Sequence, residues 1–359
     1  MPNYTKRLSA LRKVMRAEDL DLVLVTFGPY LRYLCGYTGS NGLLLVGHRG
    51  ADFLTDFRYT TQVKTEVRGA KISISSGDLT EYLPELDVLK KGRKKVGIED
   101  DCISMAKGLR LRHLLPNALF VRLPELVGPL MMVKDSSEIA LIQRAAKIAD
   151  VGFDTALEVI KPGVRERDVA VEMEYAMAKA GSEEKAFDTI VASGARAALP
   201  HGRASMKRIA KGDFVTLDFG ATVDGYVSDI TRTVVVGKPT SRQKRIYDLV
   251  RRAQATAVRK ARSGMPCAKL DNVARSIIKR AGHGKRFGHG LGHGIGLQVH
   301  EGPALNAKSR TVLKTGMVVT VEPGVYLPGW GGVRIEDDIV IRGSGCRVLT
   351  KSERDLIVL

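Results

Sequence analysis

Apolar and polar positions along the first third of the chain switch between two periods. The opening stretch sets single Leu and Met positions among Lys6, Arg7, Arg12, Lys13 and Arg16, a helical pattern predicted to run to about Ala17. An apolar run from Leu20 to Phe27, a glycine-containing turn at Tyr37–Gly42 and a second run from Leu43 to Val46 predict short strands linked by helices, an α/β module. A break follows Pro124 and passes through Gly128 and Pro129. From Ser136 a long helix is predicted, capped by Asp135 or Ser136, with Glu138 in its first turn and Ile139, Ile142, Ala146, Ala149, Phe153 and Leu157 on its apolar side. The expected domains are therefore 1–128 and 129–359.

The second domain contains a weak internal repeat. Gly212-Asp-Phe-Val-Thr-Leu-Asp218-Phe-Gly220 aligns with Gly316-Met-Val-Val-Thr-Val-Glu322-Pro-Gly324, an offset of 104 residues (316 minus 212). Upstream, Lys161-Pro162-Gly163 and Asp168 match Ser263-Gly264-Met265 and Asp271 in the same sense. Such an offset is too long for a solenoid and suits two similar halves, each of helices followed by strands. In each half an apolar strand carries one carboxylate, with Phe214, Thr216 and Asp218 on one face and Val318, Thr320 and Glu322 on one face.

An ionised carboxylate withdrawn from water costs several kcal/mol unless a cation or hydrogen bonds compensate. Asp218 and Glu322 are both so placed, and each has a second acid downstream, Asp229 and Glu336, at spacings that let a hairpin return it beside the first. Four converging acids must protonate or gather multivalent cations. Five of the seven histidines fall in two contexts: His201 after Pro200, and His283, His289, His293 and His300 in a glycine-alternating stretch. Taken singly, a strand acid is commonly an edge residue and a Gly-His loop a turn; the joint pattern points to chemistry. Four carboxylates with a neutral imidazole balance two divalent cations, and oxygen-rich ligands favour Mn²⁺, with Co²⁺ or Zn²⁺ as alternatives. Two ions about 3.5–4 Å apart bridge a water and supply hydroxide near neutral pH, which implies hydrolysis. A phosphate-loop reading of the glycines fails, because no Gly-Lys-Ser/Thr ending follows.

Composition narrows the rest. With 359 residues, 44% apolar and 27% charged, the chain suits about two domains and excludes disorder, collagen and coiled coil. No run approaches the ~18 apolar residues of a membrane span, so no membrane association is expected and the expected location is cytoplasmic. Cys35, Cys102, Cys267 and Cys346 lie far apart with no C-x-x-C pair, which excludes a zinc ribbon and predicts reduced thiols. The net charge is +18, of which Ser241–Arg286 contributes +12, fourteen Lys/Arg against Asp248 and Asp271. These charges alternate with an apolar stripe (Ile246, Leu249, Val250, Ala253, Ala257, then Leu270, Val273, Ile277). They are read as solvated helix faces rather than a nucleic-acid surface, since no RNA- or DNA-binding motif accompanies them.

The residues resemble the pita-bread metallopeptidases, specifically the Xaa-Pro peptidases aminopeptidase P and prolidase (Xaa-Pro dipeptidase). Tyr33-Leu-Cys-Gly-Tyr-Thr-Gly-Ser-Asn-Gly42 and Leu54-Thr-Asp-Phe-Arg-Tyr59 are similar to the creatinase-type N-terminal domain, and the remainder to the catalytic domain. The resemblance implies an α/β N-terminal domain followed by an α+β pita-bread domain with a pseudo-two-fold repeat. It implies five metal ligands, Asp218, Asp229, His293, Glu322 and Glu336, with Asp229 and Glu336 bridging two ions, Asp218 on one and His293 with Glu322 on the other. It further implies that Glu322 shuttles a proton, that His300 holds the scissile carbonyl, that His201 contacts substrate and that His289 orders the pocket. Arg334 matches a family arginine near the site and, with His289 and Tyr326, is expected to bind substrate; Tyr326 and Thr231 are also candidates for orienting carboxylates.

The implied activity is hydrolysis of the bond preceding proline in dipeptides or short peptides, by a homodimer. Some prolidases carry an arginine shortly after the equivalent of His300-Glu301. Here Gly302-Pro-Ala-Leu-Asn306 follows, so longer peptides fall within the expected range. Two other readings rank below this one. A methionine aminopeptidase-like enzyme leaves the first 128 residues unexplained, and a non-catalytic nucleic-acid- or protein-binding relative does not account for the intact ligand set.

Overall fold

The computed structural model describes residues 2–90, 92–98, 102–122 and 126–359, and the chain forms two compact units, Met1–Met131 and Met132–Leu359. Pro124, at the break noted in the sequence, lies outside the described residues.

The first unit is built on a mixed six-stranded sheet of β1 (Leu22–Val25), β2 (Leu43–Gly47), β3 (Ala51–Asp56), β4 (Lys71–Ser75), β5 (Lys94–Ile98) and β6 (Ala118–Arg122), in the order β4-β3-β2-β1-β5-β6. The antiparallel β2–β3 pair joins through a short turn and β1 reaches its antiparallel neighbour β2 through the helix-containing segment 26–42, whereas the parallel pairs β3–β4, β1–β5 and β5–β6 need crossovers. The helices are α1 (Tyr4–Ala17), α2 (Gly28–Cys35), α3 (Gln62–Glu66), α4 (Asp87–Lys90), α5 (Met105–Leu114) and α6 (Gly128–Met131). As the apolar pattern predicts, α1 buries Leu8, Leu11 and Met15. At the end of β3, Asp56 accepts from Nε and Nη2 of Arg58 and from Nδ2 of Asn41.

The second unit repeats one plan twice. Its first half runs α7 (Ser136–Val159), α8 (Glu166–Lys179), β7 (Ile190–Ser193), β8 (Phe214–Phe219), a small hairpin of β9 (Thr222–Val223) and β10 (Tyr226–Val227), then β11 (Ile230–Val235). The second half runs α9 (Ser241–Lys260), α10 (Cys267–Arg280), β12 (Gly292–Gly294), β13 (Glu301–Leu305), β14 (Val318–Val321), a hairpin of β15 (Gly324–Leu327) and β16 (Gly331–Arg334), then β17 (Asp337–Ile341) and β18 (Cys346–Val348). In each half a central strand pairs with one before it and one after it, in the orders β11-β8-β7 and β13-β12-β14-β17-β18.

Local chemistry explains the helix limits. Asp135 and Glu138 form a reciprocal capping box on α7, and Thr240 with Gln243 does the same on α9. The apolar stripe of α10 is centred one position off the sequence expectation: Cys267, Leu270, Ala274 and Ile278 are buried, while Val273 and Ile277 are half-buried against the core. Among the described residues no helix is long and apolar enough to cross a membrane. Cys35, Cys267 and Cys346 are free thiols.

Candidate metal centre and peptide site

The two strand pairs deliver the acids. In the β8–β11 ladder Phe219 faces Ile230, so Asp218, one residue before the first, and Asp229, one before the second, flank one end of it. In β14–β17 Val321 faces Asp337, which places Glu322 and Glu336 at the end of that ladder. The connecting segments are themselves hairpins, β9–β10 and β15–β16, so each second acid returns beside the first by a longer excursion than a single turn. All four carboxylates line one cavity of about 780 Å³, together with His201, His289, His293, His300, Tyr326 and Arg334. Of the residues singled out in the sequence, Thr231 and His283 are not among those lining this cavity.

Glycines allow the backbone of the histidine loop to approach its neighbours. A Cβ on Gly292 would lie 2.2 Å from the carbonyl oxygen of Thr320, and one on Gly294 would lie 2.0 Å from that of Gly302. Between them, His293 is oriented by its backbone N–H, which donates to Oγ1 of Thr320 at 3.0 Å. Nδ1 of His293 sits 3.1 Å from the Gly294 carbonyl, which assigns the ring proton to Nδ1 and leaves the Nε2 lone pair free. That lone pair faces Oε1 of Glu322 at 3.4 Å and Oδ2 of Asp229 at 3.7 Å.

Ligand atoms of Asp229, His293 and Glu336 all lie within 4.8 Å of one another. Burial pushes the Asp229 carboxyl well above its ordinary range, reinforced by Glu336 and Asp218; burial and Glu336 do the same to Glu322, and burial and Asp218 push Glu336 up to about 8. Burial lowers His293 and His289 to about 4, with neighbouring His300 and Arg334 respectively adding to it, so both rings are neutral near pH 7. Oδ1 of Asp229 and Oε1 of Glu336 are buried with no hydrogen-bond partner among the described residues. Acids that cannot carry their charges unaided, with unpartnered oxygens turned towards an imidazole lone pair, fit a multiply charged cation, and the O,O,N composition suits a hard to borderline divalent ion.

A frame of hydrogen bonds holds these groups. Arg334, almost wholly buried, donates from Nη2 to Asp218 Oδ2 at 2.6 Å, from Nη1 to the Tyr326 hydroxyl at 2.8 Å and from Nε to Thr231 Oγ1 at 3.0 Å. Thr231 donates in turn to Glu336 Oε2 at 2.5 Å, and the Tyr326 hydroxyl lies 2.9 Å from His289 Nε2. All three guanidinium nitrogens of Arg334 are thus committed to protein partners, whereas its resemblance-based assignment was to substrate. His300 stacks edgewise on His293 with centroids 4.4 Å apart, and His201 is exposed on the cavity wall.

Several participants were not singled out in the sequence. Asp338 is fully buried, accepts from the Asp229 N–H at 3.0 Å and has its carboxyl pushed well up by burial. Its signal was the run Glu336-Asp337-Asp338 in an apolar context. Asp337, equally buried, is clamped by Arg232 at 2.8 Å, and Arg232 also donates to the carbonyl of Glu336. Asp188 and Arg203 line the cavity as well, and nothing in their local sequence marked them. The basic residues of α9 and α10 lie outside this cavity; Arg275, Lys279, Lys285 and Arg286 border a separate cleft.

Comparison with known proteins agrees with this architecture. Residues 140–343 match metallopeptidase family M24, and residues 7–133 match the creatinase/prolidase N-terminal domain. The Xaa-Pro dipeptidase of Pyrococcus furiosus is 40% identical over 355 residues, covering 98% of this chain and 99% of that protein. Among solved structures, an Xaa-Pro dipeptidase from Bacillus anthracis has a TM-score of 0.96 at 42% identity, covering 99% of this chain and 100% of that one. An X-Pro aminopeptidase from Thermotoga maritima has a TM-score of 0.89 at 38% identity, covering 97% and 100%. With matches across both units and this convergence of acids and imidazole, the chain has the pita-bread fold behind a creatinase-type N-terminal domain and belongs to metallopeptidase family M24.

Proposed function

We propose that this protein is an Xaa-Pro peptidase that hydrolyses the bond preceding proline in dipeptides or short peptides, using two divalent metal ions, by preference Mn²⁺. The observation that carries the reading is the meeting of Asp229, His293 and Glu336 within 4.8 Å, with buried carboxylate oxygens that have no hydrogen-bond partner among the described residues. Asp229 and Glu336 are assigned as the bridging ligands, Asp218 as a ligand of one ion, and His293 with Glu322 as ligands of the other. When bound, the ions supply Lewis acidity, polarising the scissile carbonyl and lowering the pKa of a water towards ~7.

The remaining steps belong to the chain. Glu322 accepts the proton of the attacking water as its oxygen bonds to the carbonyl carbon, then passes that proton to the proline nitrogen as the C–N bond breaks. The proton is needed because the proline nitrogen of a tertiary amide carries no hydrogen and must leave as a secondary amine. His300 donates towards the carbonyl oxygen as its negative charge grows, and His201 contacts substrate on the exposed wall. His289, fixed by Tyr326, orders the pocket and remains neutral beside Arg334. Free thiols at Cys35, Cys267 and Cys346 support a reducing, cytoplasmic location, and the family resemblance supports a homodimer.

Product analysis of Ala-Pro and Ala-Pro-Ala with the Mn²⁺-loaded protein tests the reading. Release of alanine is expected from the dipeptide; its release from the tripeptide adds aminopeptidase P behaviour. Absence of cleavage in both overturns the proposal.

A further inference from the structure

An Xaa-Pro dipeptide with a free C-terminus brings one anion, its carboxylate, into a cavity already crowded with acids. Among the described residues lining the cavity, the permanently charged cations are Arg334 and Arg203. Arg334 is buried and committed through all three nitrogens. Arg203 differs in each respect. Its side chain is 78% exposed, and Nη2 is engaged by Asp188 Oδ2 at 2.8 Å.

Backbone pairing sets where Arg203 stands relative to the chemistry. Ile190 faces Asp218 in the β7–β8 ladder and faces Arg203 through a further antiparallel bridge on its other side. Residues directly opposite one another project from the same face, and neighbouring strands lie ~4.8 Å apart, so Asp218, Ile190 and Arg203 form a row about 10 Å long across the cavity wall. All three line that cavity. A two-residue peptide is at most about 7 Å long. A substrate whose scissile carbonyl lies at the acid cluster therefore has its C-terminal carboxylate within the span of a long side chain rooted at Arg203.

We propose that Arg203 receives the C-terminal carboxylate of an Xaa-Pro dipeptide, giving up Asp188 for it, and so selects substrates with a free carboxylate on the proline. This rests on the Xaa-Pro peptidase reading and adds to it the residue that reads substrate length. The exchange is chemically easy. Asp188 retains Lys185, whose Nζ lies 3.1 Å from Oδ1, and the pair is at the solvent edge, where an ion pair contributes little. An arginine offers a planar fork suited to two parallel hydrogen bonds to a carboxylate. The side chain can be replaced without disturbing the local backbone, because the Arg203 N–H donates to the His201 carbonyl and the Arg203 carbonyl accepts from Arg196.

The test compares Ala-Pro with Ala-Pro amide on the Mn²⁺-loaded protein, which differ by the one charge. The wild type is expected to prefer the free acid in kcat/KM by about tenfold or more. In Arg203→Ala and Arg203→Gln that preference should collapse towards one, with the loss in KM for the acid rather than in kcat; Arg203→Lys should retain part of it. Asp188→Asn, which frees the guanidinium, should lower KM for the acid. An acid-to-amide ratio unchanged by the arginine substitutions, or equal losses on both substrates, overturns the assignment while leaving the peptidase reading intact. Failure of the wild type to cleave either compound overturns both.

Discussion

Thr231 stands opposite Asp218 in the β8–β11 ladder and donates its hydroxyl to Glu336 of the other half at 2.5 Å, tying the two halves of the repeat together at the acid cluster. The same oxygen accepts from Nε of Arg334, so its remaining hydrogen is directed at Glu336. Hydrogen-bond partners of ligating carboxylates typically contribute 10–100-fold to metal affinity. Thr231→Val, which preserves shape and removes the hydroxyl, is expected to weaken Mn²⁺ binding by about that factor, and Thr231→Ser to retain most of it. Calorimetric titration of metal-free protein with Mn²⁺ checks this; equal affinities in wild type and Thr231→Val would remove Thr231 from the ligand frame.

Clustered acids also link metal to stability. A ligand bound only by the folded state at a hundred times its Kd stabilises by ~2.7 kcal/mol, which corresponds to roughly 5–10 °C in Tm for a unit of this size. Chelation should lower Tm by that order and Mn²⁺ should restore it. In Asp229→Ala and Glu336→Ala the Mn²⁺-dependent shift should shrink and kcat should fall at least about a hundredfold, an effect no smaller than that of losing a supporting hydrogen bond. Mutual repulsion at the site falls when one acid is removed, so the metal-free Asp229→Ala chain should not melt below the metal-free wild type. Near wild-type kcat in either variant would show the bridging assignment to be wrong.

The chemistry was legible where residue type conflicted with its strand. Asp218 and Glu322 stand out because carboxylates are costly in apolar runs, and the 104-residue repeat doubled the signal. His293 stood out through flanking glycines, whose purpose in the structure is close backbone approach to Thr320 and Gly302. Three things were not legible. The α10 stripe was misplaced because Val273 and Ile277 look more apolar than the Cys267 and Ala274 that are in fact buried. Arg334 was assigned to substrate because a sequence cannot show that Asp218, Tyr326 and Thr231 claim all its nitrogens. Asp188 and Arg203 are ordinary surface residue types, and only the double pairing of Ile190 brings Arg203 to the cavity wall.

Beside the histidine loop, Lys134 and Glu301 form an ion pair with side chains only 1% and 7% exposed. Glu301 follows His300 at the start of β13; Lys134 takes its Oε1, and its Oε2 has no hydrogen-bond partner among the described residues. Breaking a buried pair by removing one member typically costs 3–5 kcal/mol, because the other charge stays buried, whereas replacing both by apolar groups is often neutral or better. Lys134→Met should therefore lower unfolding free energy by about that amount in denaturant titration, and Lys134→Met with Glu301→Leu should recover most of it. A double variant no more stable than the single would show that the pair orders the loop in some way beyond its charges.

In the N-terminal unit, pH dependence should follow Asp56. The Arg58 side chain, with Nε and Nη2 each 2.9 Å from a carboxylate oxygen, holds this carboxyl far below its ordinary value; burial opposes it as the second-largest influence, and Asn41 and the Arg58 N–H add to the lowering. A carboxyl depressed in the folded state binds fewer protons there than in the unfolded chain. Its stabilising effect is therefore complete above the ordinary aspartate pKa of about 4 and is lost as pH falls through the lower folded value. Asp56→Asn keeps the shape and removes the charge. Wild type should melt higher than the variant above about pH 5, and the gap should narrow steadily as pH falls from there towards about 2. Thermal melts of both proteins across that range give the answer: curves that run parallel throughout would mean that the Asp56–Arg58 fork is not what holds this corner of the sheet against acid.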